Sequence, residues 1–119
     1  MSENSMIARI WRAEALTANA PAYADHFANH VVPTLKRARG YEGALLLNHE
    51  FNGAVKILVI TFWKSLNAVK QFAGTDIKRA VIAEDAKNLL TNFETEVRHF
   101  EVVQADGIAA YRPMMKSKA

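Results

Sequence analysis

At 119 residues, half of them hydrophobic and 23% charged, the chain has the balance of one globular domain with a modest core. It has no cysteine, which excludes disulfides, thiol nucleophiles and zinc sites built on cysteine. The net charge of +3 is matched by the final nine residues, "YRPMMKSKA", which hold Arg112, Lys116 and Lys118 and no acid. The remainder is therefore charge-balanced, and the chain reads as one domain over 1–104 followed by a basic tail over 105–119. "LKRARG" (Lys36, Arg37, Arg39) is the only other basic cluster. It suits the dipole at a helix C-terminus, so no nucleic-acid partner is expected. No apolar run approaches the roughly 20 residues of a membrane span, and "MSENSM" lacks the basic-then-apolar pattern of a leader. A cytoplasmic protein with no membrane partner is the expectation.

"MIARIWRA" (6–13), β-branched and aromatic, predicts a first strand. A helix is predicted from Pro21 to Arg39, with Asn19 as N-cap and Gly40 as its stop. Its apolar stripe runs Tyr23, Phe27, Val31, Leu35 at i,i+4 spacing. Pro33 lies inside that pattern and should kink or divide the helix. "YEGALLLNHE" (41–50) and "AVKILVITFW" (54–63) read as strands flanking "FNG". Asn52-Gly53 is the strongest short hairpin signal, because a type I′ turn needs positive φ at both central residues. "SLNAVKQFAG" predicts a helix with Ser65 as N-cap and Gly74 as stop. "DIKRAV" reads as a turn, "AEDAKNLLTNF" as a further helical piece and "ETEVRHFEVVQ" (94–104) as the last strand.

The order β-α-β-β-α-β predicts an α+β fold, a ferredoxin-like split β-α-β antiparallel sheet. Its strands are apolar on both faces: Val55, Ile57 and Val59 point one way, Leu58, Ile60 and Phe62 the other. An antiparallel sheet with one wet face would alternate apolar with polar. Two helices cover only one face of such a sheet, so the other predicts an obligate homodimer with two sheets stacked into a shared barrel-like core.

"MIARIW", "GYEGALLL", "FWKSLNAVKQFAG" and "VRHFEVV" together resemble the antibiotic biosynthesis monooxygenase family over residues 6–104. Its most specific part is the aromatic-Trp-x-Ser start of the second helix followed by "FAG". The resemblance implies a dimeric α+β barrel with one apolar pocket per subunit, between sheet and helices. It further implies an oxidoreductase acting without a cofactor on an aromatic or quinol-like small molecule. In such oxygenases a deprotonated phenol or enolate gives an electron to dioxygen, and the resulting peroxide loses water. The family also holds haem-degrading members and proteins without an activity, so a haem-binding or a non-catalytic, stress-related ligand-binding dimer is the alternative. Trp63 matches the family's strand-end Trp. The biosynthetic oxygenases carry an Asn four residues before that Trp and a Tyr six after it; these positions are Val59 and Val69 here. The haem-degrading branch carries a Trp nine residues along and a His ten further, which fall on Phe72 and Ile82, and an Asn on the first strand, which "ARIWR" lacks.

Four histidines are the side chains that titrate near neutrality. His26 and His30 share a helix face on the shoulder of the Tyr23–Phe27 stripe. They read either as bases lining the pocket or as boundary histidines. "HxxxH" without an adjacent catalytic Glu and a third ligand is a weak metal signal, and no metal is expected. His99 enters the pocket if its strand face meets the helices, and lies at the dimer core or edge otherwise; His49, at a hairpin end, is expected in solvent. Arg9, flanked by Ile7 and Trp11 on its strand face, needs a buried partner. Either it pairs with Glu96 or Glu101, or it steadies a ligand anion. Trp11, Trp63 and Phe72, with Tyr23 and Phe27, are core residues or walls for an aromatic ligand. No phosphate-binding glycine loop and no nucleophile elbow is present.

Overall fold

The computed structural model describes residues 4–107. Strand β1 (Ile7–Leu16) runs antiparallel to β3 (Ala54–Trp63) through ten consecutive pairs, from Ile7 opposite Trp63 to Leu16 opposite Ala54. Strand β2 (Tyr41–Phe51) pairs with the outer side of β3, with a bulge between Tyr41 and Gly43. The turn between them sits at Asn52 (φ 51°) and Gly53 (φ 78°), the two positive values that the type I′ hairpin demands. Two short strands, β4 (Asn92–Phe93) and β5 (Arg98–Glu101), complete the sheet on the free side of β1. The resulting order is β2-β3-β1-(β4, β5), the ferredoxin-like arrangement.

The last strand, expected as one piece over 94–104, is split. Ala13 pairs with Phe93 but Ile10 pairs with Arg98, so two extra residues are looped into the closing segment. Trp11 holds the excursion open, donating from its indole Nε1 to the Glu94 carbonyl at 2.7 Å. The looped residues bond outward instead, Ala80 N–H to the Thr95 carbonyl and Val97 N–H to the Lys78 carbonyl. Their partner is Thr75–Ala83, a strap without regular secondary structure save an isolated bridge at Arg79.

The first helix is divided as Pro33 requires. Helix α1 (Ala20–His26) passes into a π turn at Phe27–Val31 and continues as α2 (Val32–Lys36). Within the π turn Val32 N–H reaches the Phe27 carbonyl, five residues back. Along an α-helix an i,i+4 stripe drifts by about 40° per step; one wide turn winds it back. Tyr23, Phe27 and Leu35 are consequently all buried against the sheet. Asn19 makes no side-chain cap, because a 3₁₀ turn at Thr17–Asn19 precedes the helix. Gly40 lies beyond the helix end, in a left-handed turn (φ 86°) that feeds β2. Helix α3 (Leu66–Ala73) is capped by Ser65 Oγ, which accepts from Ala68 N–H at 3.1 Å, and ends at Gly74 (φ 87°). The further helical piece is a single turn, α4 (Glu84–Lys87).

Odd-numbered residues of β1 and β3 face these helices. Trp11, Ala13, Ala15, Val55, Ile57 and Val59 pack with Tyr23 and Phe27, while Ile7 and Trp63 pack with Leu35, Ala68 and Val69. The opposite face has no helix. There Ile10, Leu45, Leu58, Ile60 and Phe62 are only partly buried, and Leu47 and Phe100 are 44% and 53% exposed. Among the described residues no helix is long and apolar enough to cross a membrane. Most of the expected basic tail, 105–119, lies outside them.

The tightest joint is where the Gly40 turn meets α3. A Cβ on Gly40 would stand 2.5 Å from the Ala68 Cβ, on a backbone of φ +86°. Gly40→Ala is expected to destabilise the fold by about 2–4 kcal/mol, through left-handed strain plus overpacking. Urea unfolding checks this; a loss within experimental error would show that the α3 joint relaxes freely.

Candidate functional site

Between the helix-facing side of the sheet and the strap lies a cavity of about 90 Å3. Trp11, Tyr23, Phe27, Val59 and Phe72 are among its walls, and Ala80 to Ala83 of the strap border it. Its polar groups are few: Arg9, His26, Thr61 and the Tyr23 hydroxyl.

Arg9 is 6% exposed, and its guanidinium organises the strap end of the cavity. Nη1 donates to the Ile77 carbonyl at 2.8 Å and Nη2 to the Arg79 carbonyl at 2.8 Å. Nη1 also lies 3.0 Å from His99 Nε2. Arginine has no acceptor, so His99 Nε2 is the acceptor and the ring proton sits on Nδ1. Phe72 covers the group, its ring centre 5.9 Å from the guanidinium carbon. Neither Glu96 nor Glu101 pairs with Arg9, since no carboxylate among the described residues forms an ion pair with it. Burial lowers its pKa to about 10, and the group stays cationic at neutral pH.

His99 faces the helices, opposite Arg9 in the β1–β5 ladder. Burial and the neighbouring Arg9 charge push its pKa down to about 4. A neutral imidazole whose lone pair is already engaged holds Arg9 in place; it is poorly suited to removing a proton from a ligand.

His26 is the inverse case. Its Nε2 is buried and has no hydrogen-bond partner, and the residue lines the cavity. Its pKa is lowered by burial first, then by His30, with Asp85 opposing. The ring leans on Tyr23 at 5.9 Å and on His30 at 5.4 Å. His30 is exposed and outside the cavity lining, so one turn separates a cavity histidine from a solvent one. His49 is exposed as well. Burial raises the Tyr23 phenol to about 12, so it stays protonated.

The aromatic walls also divide. Trp11, Tyr23, Phe27 and Phe72 border the cavity. Trp63 does not: it is fully buried behind Phe72 at 4.9 Å between ring centres, with Nε1 donating to Thr61 Oγ1 at 2.8 Å. The strap is what sequence reasoning missed, although Gly74 and the irregular pattern after it marked a break. Among the described residues no group of three or more His, Asp or Glu is arranged to hold a metal ion. A wider open groove of about 560 Å3 lies elsewhere on the sheet, lined among others by Arg12, Glu14, Lys56 and Glu94. Its charges are mixed and converge on no point.

No protein-family model matches the chain, and no curated protein matches it. Solved structures do. A proposed antibiotic biosynthesis monooxygenase from Bacillus cereus superposes with a TM-score of 0.62 at 12% identity, covering 86% of this chain and 97% of its own. SnoaB, a cofactor-independent oxygenase from Streptomyces nogalater, gives 0.58 at 15% identity over 85% and 96%. A heme-degrading protein from Mycobacterium tuberculosis gives 0.59 at 24% identity over 86% and 99%. The chain thus has the α+β fold of the antibiotic biosynthesis monooxygenase structures.

The state of His99 is open to direct measurement. Its folded pKa near 4 lies below the ordinary 6.5, so the unfolded chain binds more protons in that window. Stability contributed by this group is therefore present above about pH 6.5 and lost as pH falls toward 4. The His99 ring resonances are expected to titrate near pH 4, and His99→Gln to flatten part of the acid-side decline. A titration at an ordinary histidine pKa would contradict the Arg9–His99 geometry.

Proposed function

We propose that the chain binds a small phenolic or quinol-like ring in this cavity and oxidises it with dioxygen, without a cofactor. The carrying observation is the buried, unpartnered Nε2 of His26 on an aromatic-walled cavity. Its pKa is lowered, so the ring is held unprotonated and its lone pair is free for a ligand hydroxyl. His26 accepts the hydroxyl proton as general base, and the imidazolium so formed faces the new oxyanion. Arg9 adds positive charge at the far wall, favouring an anionic ligand. The electron-rich ring then reduces dioxygen. A hydroquinone and one dioxygen give a hydroxyquinone and one water through a ring peroxide, so the ring supplies all the electrons. The apolar walls exclude water from these intermediates.

Volume supports one ligand class within this reading. A cavity of about 150 Å3 accommodates benzene, and this one holds about 90 Å3. A single ring needs modest displacement of the strap; a polycyclic substrate or a haem macrocycle needs far more. Single-ring ligands are thus favoured over the haem alternative. A non-catalytic ligand-binding protein, the other reading, would use the same cavity without consuming oxygen.

Oxygen uptake with a panel of hydroquinones and anthrones is expected to show turnover for the smaller rings. His26→Phe should reduce it by about 100-fold or more, as for loss of a general base. Binding without any oxygen uptake would establish the non-catalytic reading instead.

We further propose that the uncovered sheet face meets the same face of a second copy. Its partly exposed aliphatic and aromatic side chains (Ile10, Leu45, Leu58, Ile60, Phe62, Phe100) form a surface larger and more continuous than scattered single residues would. Sedimentation at micromolar concentration is expected to give the dimer mass, and Ile60→Lys to shift it toward monomer. A wild-type monomer under these conditions would overturn this arrangement.

A further inference from the structure

We propose that the cavity is selective for a ring bearing two groups, a hydroxyl that meets His26 and a carboxylate that meets Arg9. In chemical terms the ligand is a single-ring aromatic hydroxy acid. This rests on reading the cavity as a ligand site and specifies what the site accepts.

The argument starts from the cost of burying Arg9. A charge moved from water into the interior costs several kcal/mol unless it is paired and hydrogen-bonded. Two carbonyls and the His99 nitrogen solvate the guanidinium as dipoles, but they do not neutralise it. Arginine carries five N–H groups. The three bonds at Nη1 and Nη2 leave Nε and the second Nη2 hydrogen without an acceptor among the described residues. The cation therefore keeps both net charge and donor capacity, on a residue that lines the cavity. A carboxylate satisfies both needs at once, and a charged hydrogen bond of this type is among the strong ones.

Position adds the second group. Arg9 lies one step along the helix-facing side of β1 from Trp11. Trp11 lies 6.2 Å from Tyr23, and Tyr23 lies 5.9 Å from His26. Cation and unpartnered imidazole nitrogen thus border one cavity, with the Trp11 and Tyr23 rings linking them along its wall. A ligand carrying only a hydroxyl leaves the charge uncompensated; one carrying only an acid leaves His26 Nε2 orphaned. A hydroxy acid completes both ends, with the ring between them.

The Ile77 and Arg79 carbonyls that hold Arg9 belong to the strap. A carboxylate on Nε and the remaining Nη2 hydrogen leaves those two bonds in place.

The test compares 4-hydroxybenzoate with 4-hydroxybenzamide, which has nearly the same shape and no charge, by titration calorimetry on the full chain. The acid is expected to bind at least about tenfold more tightly, the lower range for a hydrogen bond to a charged group. Arg9→Gln should abolish that difference and Arg9→Lys should retain part of it. Equal affinity for acid and amide in the wild-type protein overturns the proposal and leaves the cavity reading standing. Binding of neither compound, nor of phenol or hydroquinone, overturns both. The wild-type comparison decides the matter even if an Arg9 variant fails to fold.

Discussion

A buried guanidinium on a central strand needs partners from elsewhere in the chain, and in this fold their supply shapes everything on the helix-facing side. Arg9 draws two carbonyls from the strap and a nitrogen from the closing strand. Those contacts bring Thr75–Ala83 across the sheet instead of letting it run as an exposed connection. The strap in turn takes up the outward hydrogen bonds of residues 95–97, which is why the closing strand breaks in two.

The cavity is the residue of that arrangement. The π turn aligns Tyr23, Phe27 and Leu35 toward the sheet, Trp11 props the looped closing segment, and Phe72 lies over the guanidinium. Between them remains a small space bordered by a cation and by an imidazole nitrogen without a partner. Two histidines of the site thus hold opposite offices, although burial lowers the pKa of both. His99 spends its lone pair on Arg9 and is structural; His26 Nε2 is buried beside the cavity with no partner. The distinction lies in their hydrogen bonding.

The fold is shared with oxygenases and with a heme-degrading protein, at identities that carry the architecture and no chemistry. Within that fold this chain carries Arg9 on β1 and the apolar Val59 and Val69 on β3 and α3.

Much of the frame was legible in the order of residues because the relevant forces are local. Asn52-Gly53 sets its turn through φ preferences, Ser65 and Gly74 bound α3 by capping, and period-2 apolar runs mark the two-faced strands. These signals act over a few neighbouring positions, and the chain alone determines them. Which way His99 faces, whether Trp63 lines the cavity or plugs the core, and what satisfies Arg9 could not be read that way. The partners of Arg9 and the place of His99 hang on contacts between residues 68 to 90 positions apart, and the place of Trp63 on how Ile7, Leu35, Val69 and Phe72 pack around it. A single step in strand register turns a side chain to the opposite face, so only the assembled sheet, with its strap in place, decided which groups share the cavity.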